Sequence, residues 1–325
     1  MKLNLPSKII FAMLLAFTIN SFVYFGFANV YSSTILNYAH FQDQFQSGIY
    51  QYRILSGYLL GAVYECLSTL NIDYSIFKLK FINPQAEPQM YLSFYILNTV
   101  FIILSAFILV LITESKSFIA SHSEKTLFVA VAVFIIGLTQ FVIVPYDVSS
   151  YFFLLLFFYV LLQYLKDQSF FNIIILSVIL LFSTLNRESS ALSLSLAATL
   201  LYSKFGIQKK SVSLIVILVM IFMAVYFGLR VMSENFTTND GNLFIQNFTQ
   251  PKNILGILFW IVFFIFTLIL AKDQKAIKHI LLFHLLATPY LVVCFYTGIL
   301  YEIRLYVPLF LTSLILSRIS VANID

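Results

Sequence analysis

The chain has 325 residues, 61% of them hydrophobic and only 10% charged, against about 25% charged in an ordinary soluble domain. That excludes a water-soluble fold, because no packing hides so much apolar surface, and it leaves room for roughly ten helices of about 20 residues crossing a bilayer. The net charge of +5 is spread over short loops, which is a topology signal and excludes a nucleic-acid footprint.

The expected fold is an all-α integral membrane protein, a single polytopic domain over residues 1–325 with about ten transmembrane or re-entrant helices. Its first extracytoplasmic loop, residues 32–90, is long and contains an interfacial helix. The start of the chain has the charge order of a signal peptide, and Gly26-Phe-Ala28 offers a small-x-small site. The apolar run over 9–31 exceeds a usual signal-peptide core, however, so an uncleaved first helix is expected.

The loop that follows is polar and aromatic over residues 38–53, with Asp43 as its only acid. A carboxylate in a loop roofing a polar cavity suits a general base for a sugar hydroxyl, beside the plainer reading of a solvated loop aspartate. His40 is a lesser candidate for the same role. Tyr50 and Tyr52 read as interface anchors, and Tyr52 and Arg53 as candidates for contact with a lipid phosphate, or for simple snorkelling in the case of Arg53. The moderately apolar stretch 54–70 contains Ser56, Gly57, Gly61, Glu65 and Ser68 and reads as a helix lying at the outer interface.

Longer apolar runs follow at 91–112, 127–144 and 149–165. Pro145-Tyr146-Asp147 joins the last two, so Asp147 either faces a cavity or shapes the turn. Two short runs, 172–185 and 189–202, flank the triplet Asn186-Arg187-Glu188. At about 14 residues, or roughly 21 Å, each is too short to cross, so a re-entrant hairpin is expected. Irregular backbone at that depth persists only inside protein or beside water, which implies a polar cavity open to the outside. Further runs occupy 212–230, 254–270, 279–297 and 305–317.

With the N-terminus in the cytoplasm, this threading places twelve lysines and arginines inside against seven outside, as the positive-inside rule requires. Both termini are then cytoplasmic. The outer side receives four of the five arginines, Arg53, Arg187, Arg230 and Arg304, and nine of the fourteen acids. Arginine suits fixed, bidentate recognition of phosphate or carboxylate. The competing reading is that Arg187-Glu188 and Glu302-Arg304 pair with neighbours and hold helix ends together.

Cys66 and Cys294 are far apart and read as apolar packing residues. The triplets Asn235-Phe-Thr237 and Asn247-Phe-Thr249 match a glycosylation pattern that arises easily by chance. The sequence contains no Gly-rich phosphate loop, HExxH or GxSxG element, so soluble nucleotide chemistry is not expected.

The order of a first span, an acid-bearing outer loop, an interfacial helix beginning Gln51-Tyr-Arg-Ile-Leu55 and many short-looped spans including Thr184-Leu-Asn-Arg-Glu-Ser-Ser190 resembles small bacterial members of the GT-C glycosyltransferase superfamily. The resemblance implies a polyprenyl-phosphate-linked sugar donor, a glycan or lipid-linked acceptor and inversion at the anomeric carbon. It makes Asp43 the catalytic base and Arg53, Arg187 and Arg304 the phosphate-binding residues, with Glu188, Asp147 and Tyr52 beside them. It places the protein in the bacterial cytoplasmic membrane, among membrane lipid and with a possible protein partner in envelope glycan assembly. No cofactor is expected; the loop lacks an adjacent acidic pair, which leaves divalent-metal use open. A transporter or flippase for a lipid-linked or anionic solute is the alternative, and a non-catalytic assembly subunit a third reading, favoured by a closed cavity.

Overall fold

In the computed structural model, residues 4–28, 35–77, 79–81, 83–233 and 241–324 are described. They form fourteen α-helices linked by short turns, and the β-pairing among them is a lone bridge between Phe118 and Ile319. The first is α1 (Leu5–Val23), started by the Asn4 side chain accepting from the Ser7 amide at 2.9 Å with Pro6 in the first turn, an arrangement that satisfies one orphan donor and removes another. Short α2 (Tyr38–Phe45) and longer α3 (Ile54–Thr69) follow, then α4 (Pro88–Glu114) and α5 (His122–Leu138). In α5 the Ser121 and Glu124 side chains cap each other's backbone amides, a reciprocal pair that fixes where the helix starts. The rest are α6 (Asp147–Asp167), α7 (Phe170–Asn186), α8 (Ala191–Phe205), α9 (Lys209–Met232), α10 (Phe244–Thr249), α11 (Pro251–Ile269), α12 (Gln274–Leu286), α13 (Thr288–Thr297) and α14 (Val307–Leu316).

Six of these elements are long and apolar enough to cross a membrane: those built on α1, α4, α5, α6, α9 and α11. The pair α12 and α13 makes a seventh if taken as one span bent by 50°. Pro289 explains the bend, since its ring displaces the carbonyl one turn back and it has no amide to donate. By length and composition six or seven helices qualify as full spans, so the expected count of about ten transmembrane or re-entrant helices is not confirmed. With 17, 15 and 10 residues, α7, α8 and α14 are about 26, 23 and 15 Å long, short of the roughly 30 Å hydrocarbon layer.

Burial grades outward from a central pair. The spanning windows of α4 and α6 are 67% and 72% buried, those of α9 and α11 only 11% and 17%. The outer pair exposes Val216, Met220 and Met223 on α9 and Leu255, Leu258 and Val262 on α11. Large apolar side chains turned outward along whole helices are what a lipid-facing helix presents.

Contacts define two ends. At one, Lys8 on α1 meets Glu114 of α4 at 2.6 Å, Lys125 of α5 lies 3.7 Å from the same carboxylate, and the Lys272 amide donates to the Ser317 carbonyl at 3.0 Å. The opposite end carries the α1–α4 connection, with α2 and α3, and the α7–α8 tip.

At that second end α10 and α11 pack on the segment after α13. Asn247 is buried there and donates to the carbonyls of Phe295 and Gly298 at 3.0 and 2.7 Å, so it is a tether and not a glycan acceptor. The Asn235 triplet lies outside the described residues, as do Lys78, Glu234 and Asp240. Cys294 is buried as expected, whereas Cys66 is exposed on α3. Gly256 of α11 faces the Leu300 carbonyl so closely that a Cβ would overlap it. A backbone carbonyl cannot rotate away as a side chain does, so Gly256→Ala is expected to lower stability by about 1–3 kcal/mol. Thermal unfolding in detergent measures this; an unchanged midpoint would mean that the approach is not tight in solution.

Candidate functional site

The α7–α8 tip sits inside protein. Asn186 closes α7, Arg187 is extended, and a 3₁₀ turn over Glu188–Ser190 leads into α8. Asn186 is fully buried; its amide donates to the Tyr146 carbonyl at 3.0 Å, and its oxygen accepts from Ser149 at 2.9 Å and from Ser56 of α3. Three elements, α3, α6 and the tip, are thus pinned at one point.

Around that point the charges form a chain. Asp147 opens α6, where a carboxylate is favoured by the helix dipole, and it accepts from Arg187 on one oxygen and from Arg304 at 2.9 Å on the other. Arg304 also binds Glu302 at 2.5 and 2.8 Å. Arg53, at the start of α3, grips Glu188 with its Nε at 3.1 Å and one terminal nitrogen at 3.3 Å. Tyr146 joins the two halves, its ring centroid 4.4 Å from the Arg53 guanidinium and 5.6 Å from that of Arg187. Tyr151 and Tyr290 hold the 303–305 turn in place by donating to the carbonyls of Arg304 and Leu305 at 3.0 and 2.8 Å.

Three arginines and three carboxylates leave no net charge, which is the condition under which ions persist in an apolar interior. The members differ in access to water. The Asp147 side chain is 2% exposed and that of Glu302 8%, but that of Glu188 is 27% exposed. Partial withdrawal from water works against ionisation of Glu188, and Arg53 outweighs it, so this carboxyl stays below the ordinary glutamate range.

Arg53 also lines a cleft, between Phe41, Phe45, Gly57, Val144 and Tyr146. Its volume is about 20 Å³, room for about one water molecule. In place of the open polar cavity expected from the sequence, among the described residues the tip's charges are packed against partners and a narrow cleft reaches Arg53. On the lipid side a larger apolar groove of about 460 Å³ runs between α5 and α11, walled by Val131, Phe134, Leu138 and Phe263. It reaches Ile303, the chain neighbour of Glu302 and Arg304.

No known protein family, curated protein or solved structure matches this chain. Its function has to be argued from this geometry.

Of the residues singled out in the sequence, the structure brings together Arg53, Asp147, Arg187, Glu188 and Arg304. Tyr52 is buried nearby, stacked under Arg230 with the guanidinium 4.3 Å from its ring. Asp43 is not in the network. Phe41, Gln44 and Phe45 of α2 line the cleft, and at 100° per residue Asp43 lies on the opposite side of that helix, where it is exposed. His40 bonds Gln85 at 3.0 Å, also outside the network. Sequence reasoning missed Tyr146, Ser56 and the site role of Glu302. A tyrosine between Pro145 and Asp147 carries no local sign that two arginines will stack on it. Among the described residues no three His, Cys, Asp or Glu side chains gather as metal ligands would.

Proposed function

We propose that this protein is a membrane glycosyltransferase that takes a sugar from a polyprenyl-phosphate donor and passes it to a glycan or lipid-linked acceptor. The observation that carries this reading is Arg53: a guanidinium locked by Tyr146 and Glu188, facing a cleft at the end of a membrane-embedded bundle, with Arg187 and Arg304 fixed behind it. Preorganised cations of this kind stabilise charge building on a departing phosphate. The apolar groove ending at Ile303 supports a substrate with a long hydrocarbon tail, since an all-apolar wall open to lipid has nothing to offer a polar solute. In this reading the network end is extracytoplasmic and the lysine-rich end cytoplasmic, in a bacterial cytoplasmic membrane.

The acceptor hydroxyl attacks the anomeric carbon in line, the bond to the phosphate oxygen breaks, and polyprenyl phosphate leaves with the electron pair. A carboxylate beside the cleft takes the hydroxyl proton. The test is turnover by the purified chain in lipid nanodiscs with a panel of sugar-phosphate lipids. Transfer is expected from long-tailed donors and to fall off as the tail is shortened. Absence of turnover across the panel, with a labelled lipid crossing the membrane instead, would replace the reading with transport.

A further inference from the structure

We infer that Glu188 is a displaceable internal anion: a phosphate group entering the cleft takes over the Arg53 guanidinium and releases the Glu188 carboxylate.

The geometry of the three arginines sets Arg53 apart. Asp147 is held by two guanidiniums at once and is sealed from water, so removing it would strand Arg187. Glu188 is held by one, and its side chain is the most exposed of the three carboxylates. The contact is a fork, Nε and one terminal nitrogen on the two carboxylate oxygens. A phosphate group presents a similar pair of oxygens, with one charge in a sugar-phosphate-lipid diester and up to two in a monoester, so the two anions compete for one donor set. The other terminal nitrogen of Arg53 makes no hydrogen bond to the described residues, which leaves a donor for a third phosphate oxygen. Tyr50 and Tyr146 flank the guanidinium at 5.4 and 4.4 Å and keep it in place whichever anion it holds. The cleft holds about one water as it stands, so entry of a phosphate requires its lining side chains to move.

The exchange gives Glu188 a role that Asp43 cannot fill from the far side of α2. A carboxylate gripped by arginine is a poor base; once released beside the bound donor, it regains its basicity as the acceptor hydroxyl arrives. The base role rests on the transferase reading, whereas the exchange itself concerns binding alone.

The experiment measures binding of farnesyl phosphate, and separately of inorganic phosphate, to the full chain in phosphatidylcholine nanodiscs. Glu188→Gln keeps the side chain's size but not its charge, so removal of the internal competitor is expected to tighten binding by about tenfold or more, while transfer falls by about 10²–10⁴-fold. Tightening for farnesyl phosphate alone identifies a lipid-borne phosphate; tightening for both identifies the phosphate group as sufficient. Unchanged or weaker binding of both ligands by a folded Glu188→Gln protein overturns the exchange. If that variant does not fold, wild-type calorimetry with dimethyl phosphate, a diester whose charge is fixed in this range, in buffers of different ionisation enthalpy decides: loss of Arg53 raises the Glu188 pKa, so binding at mildly acidic pH takes up protons, and no uptake overturns the proposal. Tighter binding with no turnover by the wild type would keep the exchange and remove the transferase reading.

Discussion

Asp147→Ala is expected to destabilise the protein by about 3–5 kcal/mol, the largest effect of any single substitution in the network. The carboxylate is the shared partner of Arg187 and Arg304, and its removal leaves a guanidinium in an apolar interior with nothing to neutralise it, which costs far more than the pair contributes. Arg304 retains Glu302 at 2.5 Å, but Arg187 retains no carboxylate among the described residues. The double variant Asp147→Leu with Arg187→Leu should therefore be more stable than Asp147→Leu alone, because the stranded charge goes with its partner. Unfolding midpoints of the singles and the double, combined as a mutant cycle, check this. A double variant less stable than either single would mean that the network stabilises the fold by more than mutual neutralisation.

Arg53→Ala is expected to leave the fold largely intact and to reduce kcat/KM for transfer by about 10²–10³-fold, the usual loss when one preorganised donor to a developing oxyanion is removed. Its carboxylate partner is partly in water, so Glu188 can be solvated when the guanidinium is gone. Arg53→Lys should recover little, since an ammonium cannot present the two parallel donors of the fork. Asp43→Asn measured beside it separates the two candidate bases: if Asp43 is the base it is essential, whereas its position on the far side of α2 predicts that transfer persists. Wild-type kcat/KM for Arg53→Ala would move Arg53 from the substrate site to a purely structural ion pair.

The site was partly legible. Four arginines on the outer side of the threading and a polar triplet between two short apolar runs were visible because hydrophobicity and charge are local properties of a stretch. They pointed to Arg53, Asp147, Arg187, Glu188 and Arg304, all of which meet. Asp43 was singled out by the same local logic, as the sole acid of a polar loop, and the structure leaves it outside, because the direction of a side chain depends on which face of α2 packs. The runs also located the helices without fixing which of them cross, since a run of apolar residues shows that a segment is buried but not how long its helix is.

What the sequence determined by itself is the class: an apolar, charge-poor chain must form helices that satisfy their own backbone bonds where water is absent. What only the tertiary structure decided is the pairing. Arg53 meets Glu188 across 135 residues and Arg304 meets Asp147 across 157, and no local pattern specifies a partner at that separation. Burial then turned separate charges into one neutral network, because in a low-dielectric interior each unpaired ion is too costly to keep.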